Sequence, residues 1–190
     1  MARAPAITEA ALREAALSHL ARFAATEAGL RRVLGNRIHR WARAVGAEGM
    51  DPDAIATAAA AARAQAAAIA ARLVQAGAVD DAAFATARAR RLLASGRSQR
   101  ATLAHLAAKG ITGELARETL RQEDMPGELE AAVTLCRKRR LGPFAAAEPE
   151  AELRRKWLAT LARAGFGGEV ARKALALPRA EAEALLANRP

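Results

Sequence analysis

Alanine constrains this chain more than any other feature. Of its 190 residues 56 are alanine, while aromatics make up only 3% and tyrosine is missing altogether. Alanine is the best helix former, and the Val, Ile, Thr and aromatic side chains that fill pleated surfaces are scarce. An all-helical fold is therefore expected, and a sheet protein is effectively excluded. Apolar types reach 52%, too many for a disordered chain. The single cysteine, Cys136, permits no intrachain disulfide and no cysteine-based metal site, so a reducing, cytoplasmic compartment is expected. The run Ala54–Ala71 is the one candidate membrane stretch. Arg63 and Gln65 interrupt it, and alanine is only weakly apolar, so no membrane span is expected. No secretory h-region follows Met1, and Glu9 and Glu14 argue against a presequence.

Start and stop signals divide the sequence into about nine helices. Thr8 caps the first, which carries Leu12, Ala16, Leu17, Leu20 and Phe23 on one face. Thr26 caps the second, where Leu30, Val33, Leu34, Ile38, Trp41 and Val45 follow the three-and-four spacing of a buried stripe. Asp51-Pro52 starts a long alanine-rich helix that Gly77 stops. The second half repeats this grammar in shorter form. Asp80 caps a helix through Phe84 to about Ala94, Ser98 one carrying Leu103 and Leu106, and Thr112 one with Leu115 and Leu120. Pro126 opens a helix through Leu129, Val133 and Cys136, and Pro149 opens one holding Leu153, Trp157 and Leu161. A last helix from about Gly168 carries Val170 and Leu175 and closes at Pro178. The tail beyond Arg179 has little to bury and is expected to fray.

An internal repeat organises these helices. The stretch from Leu106 to Leu120 aligns with Leu161 to Leu175, and eight of the fifteen positions are identical. Gly110-Ile111 matches Gly165-Phe166, and a weaker third copy sits at Gly49-Met50, preceded by Val45 at the same offset as Leu106 and Leu161. In each, a helix ends at glycine, an apolar residue plugs the corner, and a new helix starts at once. The spacing suits three units of three helices, over about 8–79, 80–124 and 126–178, with a frayed tail at 179–190. Small units stabilise one another by stacking, which favours an elongated, curved array of three tandem three-helix repeats.

No catalytic constellation emerges. His19, His39 and His105 lie on different helices without metal spacing. Cys136 falls in register with Leu129 and Val133 and reads as a buried, inert thiol. Neither a phosphate-binding glycine loop nor a dinucleotide fingerprint is present. Asp80-Asp81 and Glu128/Glu130 do not place two carboxylates on one helix face, and Asp80 reads as a cap. No enzyme activity and no cofactor are expected.

Positive charge is the feature with functional leverage: 30 Lys and Arg against 20 Asp and Glu give +10. Arg31, Arg32, Arg37, Arg40 and Arg43 decorate the second helix, and Arg88, Arg90, Arg91, Arg97, Arg100 and Lys109 cluster in the middle unit. Arg137–Arg140 ends the seventh helix, where cations need no ligand, and Arg154, Arg155 and Lys156 lie in the eighth. Such a surface attracts an acidic partner or a phosphate backbone. Base stacking needs exposed aromatics, and Trp41 and Trp157 are expected to be buried, so sequence reading of single strands is not expected.

The run Gly77-Ala-Val-Asp-Asp-Ala-Ala-Phe-Ala85 resembles a signature of the RecX regulatory proteins. Gly96-Arg97-Ser98, the Leu106–Ile111 segment, the Leu161–Phe166 corner and Arg139-Arg140-Leu141-Gly142-Pro143 extend the resemblance over about 10–178. One stretch departs from it. The family's first repeat carries an Arg-x-Arg-Ser turn, and here Phe23-Ala-Ala-Thr26 keeps the cap but loses the basic turn. The first unit is also enlarged. The resemblance implies a modulator that binds the RecA–DNA filament, limits its growth and dampens ATP hydrolysis, strand exchange and co-protease activity. The expected partner is the RecA filament on single-stranded DNA, with weak direct DNA binding possible and a monomer expected. The residues expected to face the filament are Arg31, Arg32, Arg37, Arg40, Arg88, Arg91, Arg97, Arg100 and Lys109. A DNA-binding repeat protein with no dedicated protein partner is the alternative.

Overall fold

Helix starts follow the polar caps written in the sequence. Threonine Oγ1 atoms accept from the backbone three residues on, Thr8 from Ala11 at 3.2 Å, Thr26 from Gly29 at 2.9 Å and Thr112 from Leu115 at 3.3 Å. Asp51 accepts from Ala54 at 3.0 Å, Asp80 from Ala83 at 2.8 Å and Ser98 from Ala101 at 3.2 Å. Each satisfies an amide that the first helical turn leaves without a partner. The computed structural model describes residues 6–147 and 150–187. Among them the helices are α1 (Glu9–Leu20), α2 (Glu27–Ala47), α3 (Pro52–Gln75), α4 (Asp81–Ala94), α5 (Gln99–Ala108), α6 (Gly113–Leu120), α7 (Glu128–Arg139), α8 (Ala151–Arg163), α9 (Gly168–Ala176) and α10 (Arg179–Ala187). A 3-10 turn, Gly142–Phe144, lies between α7 and α8. The fold is all-α, and α1–α3, α4–α6 and α7–α9 succeed one another as three-helix repeats.

One start differs from expectation. Helix α7 begins two residues after Pro126, because extended Gly127 is its cap and the Glu130 carboxylate reaches back to accept from the Gly127 amide at 2.6 Å. Pro149, expected to open α8, lies outside the described residues, and α8 begins at Ala151.

Helix ends repeat one hydrogen bond. Past the left-handed glycine, the next amide donates to the carbonyl five residues back: Met50 to Val45, Ile111 to Leu106 and Phe166 to Leu161, all at 3.1 Å. The glycines themselves match, with φ of 87° at Gly49, 87° at Gly110 and 97° at Gly165. This closure satisfies carbonyls that the last turn would orphan. At the end of α7 the same bond, Leu141 to Cys136 at 2.9 Å, closes over Arg140 at φ 55°.

The chain divides into two compact units, Met1–Phe84 and Ala85–Pro190. In the first, Leu12 and Ala16 of α1, Leu30, Leu34 and Ile38 of α2, and Ala59, Ala62, Ala66, Ile69 and Ala70 of α3 form one core with Val79. Asp81 ties the entry to α4 to this unit by accepting from the Glu27 amide at 2.8 Å. Among the described residues α3 alone is long and apolar enough to cross a membrane. Its apolar character is alanine, and its inward stripe is taken up by α1 and α2. Trp41 is half-buried rather than fully buried. Leu17 and Phe23, expected inside, are 47% and 56% exposed. The inward stripe of α1 is narrow, and Phe23 lies beyond its end in the corner to α2.

In the second unit α7 packs against α9 and α10, α5 against α6, and α8 against α9. The two strong repeat copies behave alike position by position. Leu106 and Leu161 are buried, as are Ile111 and Phe166, Ala116 and Ala171, and Thr119 and Ala174. Leu115, Leu120, Val170 and Leu175, expected to be inward, are half-buried instead. Small side chains sit at the contact point of closely crossing helices, and larger ones flank it. Leu103 is half-buried and Leu153 exposed, while Leu106, Trp157 and Leu161 carry those stripes inward. The tail beyond Arg179, expected to bury little, forms α10, with Ala182 and Leu186 buried and α7 beneath it.

Candidate functional site

Helix α4 turns Ala85, Ala89, Leu92 and Leu93 inward, which leaves Arg88 at the edge of the core and Arg91 in solvent. On α5, His105 is half-buried and faces Arg88, whose Nε donates to His105 Nε2 at 2.9 Å. An accepting Nε2 requires a neutral imidazole protonated at Nδ1. Burial lowers the His105 pKa below its ordinary 6.5, and the cations Arg88, Lys109 and Arg97 lower it further. Arg88 bonds the ring from α4, and Arg97 at the α4–α5 corner and Lys109 at the end of α5 act on it electrostatically. Such a cluster is a standing anion-attracting field.

The remaining candidates are placed as follows. Arg100 is exposed on the first turn of α5, its Nε 3.2 Å from where a side chain at Gly165 would begin. In the first unit Arg31 pairs with Glu27 at 4.0 Å, and Arg32 is exposed. Arg37 and Arg40 line a cleft between α1 and α2, together with His19 and Arg22. The nine candidate cations therefore belong to two groups, four in the first unit and five in the second, and the second gathers Arg88, Arg97 and Lys109. Nearby cations already have structural duties. Arg90 is ion-paired with Asp124, and Lys138 donates to the Ser95 carbonyl at 2.7 Å. His105, read from sequence as a structural residue, is the acceptor that orients Arg88. Its place four residues before Lys109 and near Arg97 in sequence was the available signal.

Nothing in this arrangement resembles a reaction centre. Among the described residues no group of three or more His, Cys, Asp and Glu could hold a metal ion. Burial pushes the Cys136 thiol up to about 12, which leaves it almost wholly protonated and unreactive at neutral pH. A cleft of about 700 Å³ in the second unit is walled by Trp157, Leu158 and Leu175. Among the described residues its charged lining is Arg154 and Arg172.

Comparison with known proteins supplies the context. The family model for the second three-helix domain of RecX matches residues 80–120. A regulatory protein RecX from Myxococcus xanthus is 38% identical over 166 residues, covering 86% of this chain and 83% of the relative. One from Agrobacterium fabrum is 35% identical over 113 residues, 60% of each chain. The crystal structure of RecX from Lactobacillus salivarius superposes with a TM-score of 0.55 at 16% identity, covering 88% of this chain and 94% of that one. That last likeness speaks for the fold.

Proposed function

Because this chain belongs to the RecX family of regulatory proteins, we propose that it acts by binding the RecA–DNA filament and restraining RecA's ATPase, recombinase and co-protease activities. The observation that carries this reading is the cationic cluster of Arg88, Arg97 and Lys109 around neutral His105. It lies within the residues that match the family's second domain. The protein works as a ligand of an assembly rather than as an enzyme, without a cofactor, as a monomer in the cytoplasm.

Repeats that each make a weak contact gain affinity when they engage one filament together, since every contact after the first is intramolecular. The filament conformation that fits the repeats better is then favoured by the difference in binding free energy. Arg31, Arg32, Arg37 and Arg40 of the first unit, and Arg88, Arg91, Arg97, Arg100 and Lys109 of the second, are the residues assigned to these contacts. RecA-driven ATP hydrolysis on single-stranded DNA tests the proposal. Substoichiometric protein should slow it, and joint reversal of Arg88, Arg91, Arg97 and Arg100 to Glu should relieve the inhibition while circular dichroism stays unchanged. Undiminished inhibition by that folded variant would remove this face.

The alternative, direct DNA binding without a protein partner, draws on the same cations. It requires inhibition only at concentrations that coat naked DNA, with an affinity that falls steeply as salt is raised.

A further inference from the structure

The first unit carries an aromatic side chain that its core does not use. Phe23 forms the corner between α1 and α2 and stands more than half in solvent. Its backbone is held firmly. The amides of Arg22 and Phe23 both donate to the His19 carbonyl, at 3.1 and 2.9 Å, and buried Thr26 caps α2 three residues later. The ring is therefore presented to solvent on a fixed corner.

Its surroundings are cationic. The Arg22 guanidinium carbon sits 5.8 Å from the ring centroid, while Arg22 Nε donates to the Ser18 carbonyl at 3.1 Å. The His19 ring lies 5.3 Å away, tilted by 39°. These two residues also line the α1–α2 cleft of about 280 Å³, whose wall includes Arg37, Arg40 and one acidic residue, Glu14. Arg40 Nε donates to the Asn36 carbonyl on its own helix, at 3.4 Å.

An exposed ring with Arg22 against it, and with Arg37 and Arg40 on the cleft that Arg22 also lines, matches the chemistry of an unpaired strand. A base stacks on the ring face, and the flanking phosphates sit against the guanidinium groups. A duplex offers phosphates but keeps its bases stacked inside, so it leaves the ring in water. We propose that the α1–α2 corner binds single-stranded DNA, with a base stacked on Phe23 and phosphates held by Arg22, Arg37 and Arg40. The choice of DNA as the strand rests on the filament reading; the stacking and the phosphate contacts do not.

The test uses the whole protein and a labelled dT20 oligonucleotide in low salt, without RecA, read by fluorescence anisotropy beside a duplex of the same length. Phe23→Ala should weaken dT20 binding on the order of tenfold, leave duplex binding unchanged and keep the slope of affinity against salt. Phe23→Trp should retain dT20 affinity. Joint Arg37→Glu and Arg40→Glu should weaken binding and flatten the salt slope by about 1 to 2. The proposal is overturned if wild-type protein does not bind dT20, if Phe23→Ala binds it as well as wild type, or if the duplex is weakened equally. It is also overturned if sedimentation shows a dimer that Phe23→Ala dissolves, which would assign the ring to a second copy. Failure here leaves the ATPase assay standing, since that assay reads the second-unit cluster.

Discussion

The same corner appears at Gly49 and at Gly165, but in different company. Both glycines are left-handed, at φ 87° and 97°, and both are followed by the same closing hydrogen bond of 3.1 Å. A Cβ at Gly49 would meet nothing within 4 Å, whereas one at Gly165 would lie 2.5 Å from Ser98 Oγ. In the first unit the glycine only turns the chain. In the second it also lets the third repeat approach the cap of α5, where the Ser98 hydroxyl donates to the Ala164 carbonyl at 2.8 Å and accepts from the Ala101 amide. One sequence signal therefore stands for two physical requirements, and mutation separates them.

Gly165→Ala should be the most damaging single change. It adds a net left-handed cost of about 0.5–1 kcal/mol, strain less the unfolded-state entropy that glycine gives up, to an overpacking cost of roughly 1–3 kcal/mol, about 1.5–4 kcal/mol in all. Gly49→Ala carries the left-handed cost alone, about 0.5–1 kcal/mol. Urea denaturation of the two variants measures the difference, and equal losses would mean that Ser98 moves aside freely.

Ser98→Ala sharpens the same comparison from the other side. It removes a helix cap worth about 1 kcal/mol and a buried bond worth about 1 kcal/mol, so a loss of about 2 kcal/mol is expected. Thr112→Ala removes only an exposed cap and should cost about 1 kcal/mol or less. Thermal or urea midpoints of this pair would erase the distinction if they coincided.

What could be read in the sequence was what local chemistry decides. Thr8, Thr26, Asp51, Asp80, Ser98 and Thr112 cap helices in their own neighbourhoods, and Gly49, Gly110 and Gly165 end them through bonds spanning five residues. The exposure of Phe23 and Leu17 was hidden because it depends on how narrow the α1 contact is, and the helical period of α1 alone does not report that. The inward faces of α6 and α9 were misjudged for a related reason: the contact goes to Ala116 and Ala171, which a hydropathy stripe passes over for Leu115 and Val170. The candidate site was legible as a population of cations. Their convergence on His105 was not, because the Arg88–His105 bond joins residues 17 positions apart on different helices.

Arg140 gives a gain rather than a loss. It sits at the left-handed position that glycine holds at the three repeat corners. Glycine there would relieve about 1–2 kcal/mol of backbone strain and return about 0.5–1 kcal/mol through unfolded-state entropy. Arg140→Gly should thus stabilise the protein by about 0.5–1 kcal/mol, measured by urea midpoint. Inhibition of RecA in the ATPase assay should stay unchanged, because Arg140 lies outside the proposed face.

The smallest effect concerns pH and belongs to the second unit. Neutral His105 accepts from Arg88, and its folded pKa is lowered below 6.5 by burial, Arg88, Lys109 and Arg97. The unfolded chain therefore takes up this proton first as pH falls. The contribution is complete above 6.5 and is lost as pH drops through 6.5 towards the folded value. Glu128 acts in the opposite sense lower down. Its carboxyl is raised above 4.5 by burial, against the bond it accepts from the Gln99 amide, so stability recovers as that group protonates. His105→Gln keeps an acceptor for Arg88 without a titrating ring, and the difference in urea midpoint between it and wild type isolates the histidine from pH 7.5 to 5. An anion seated among Arg88, Arg97 and Lys109 would offset their field and raise the His105 pKa. Binding at this face then takes up a proton, and affinity for the RecA–DNA filament should rise a few-fold between pH 7 and 6 in wild type but not in His105→Gln. Equal pH profiles for the two proteins would place the anion elsewhere.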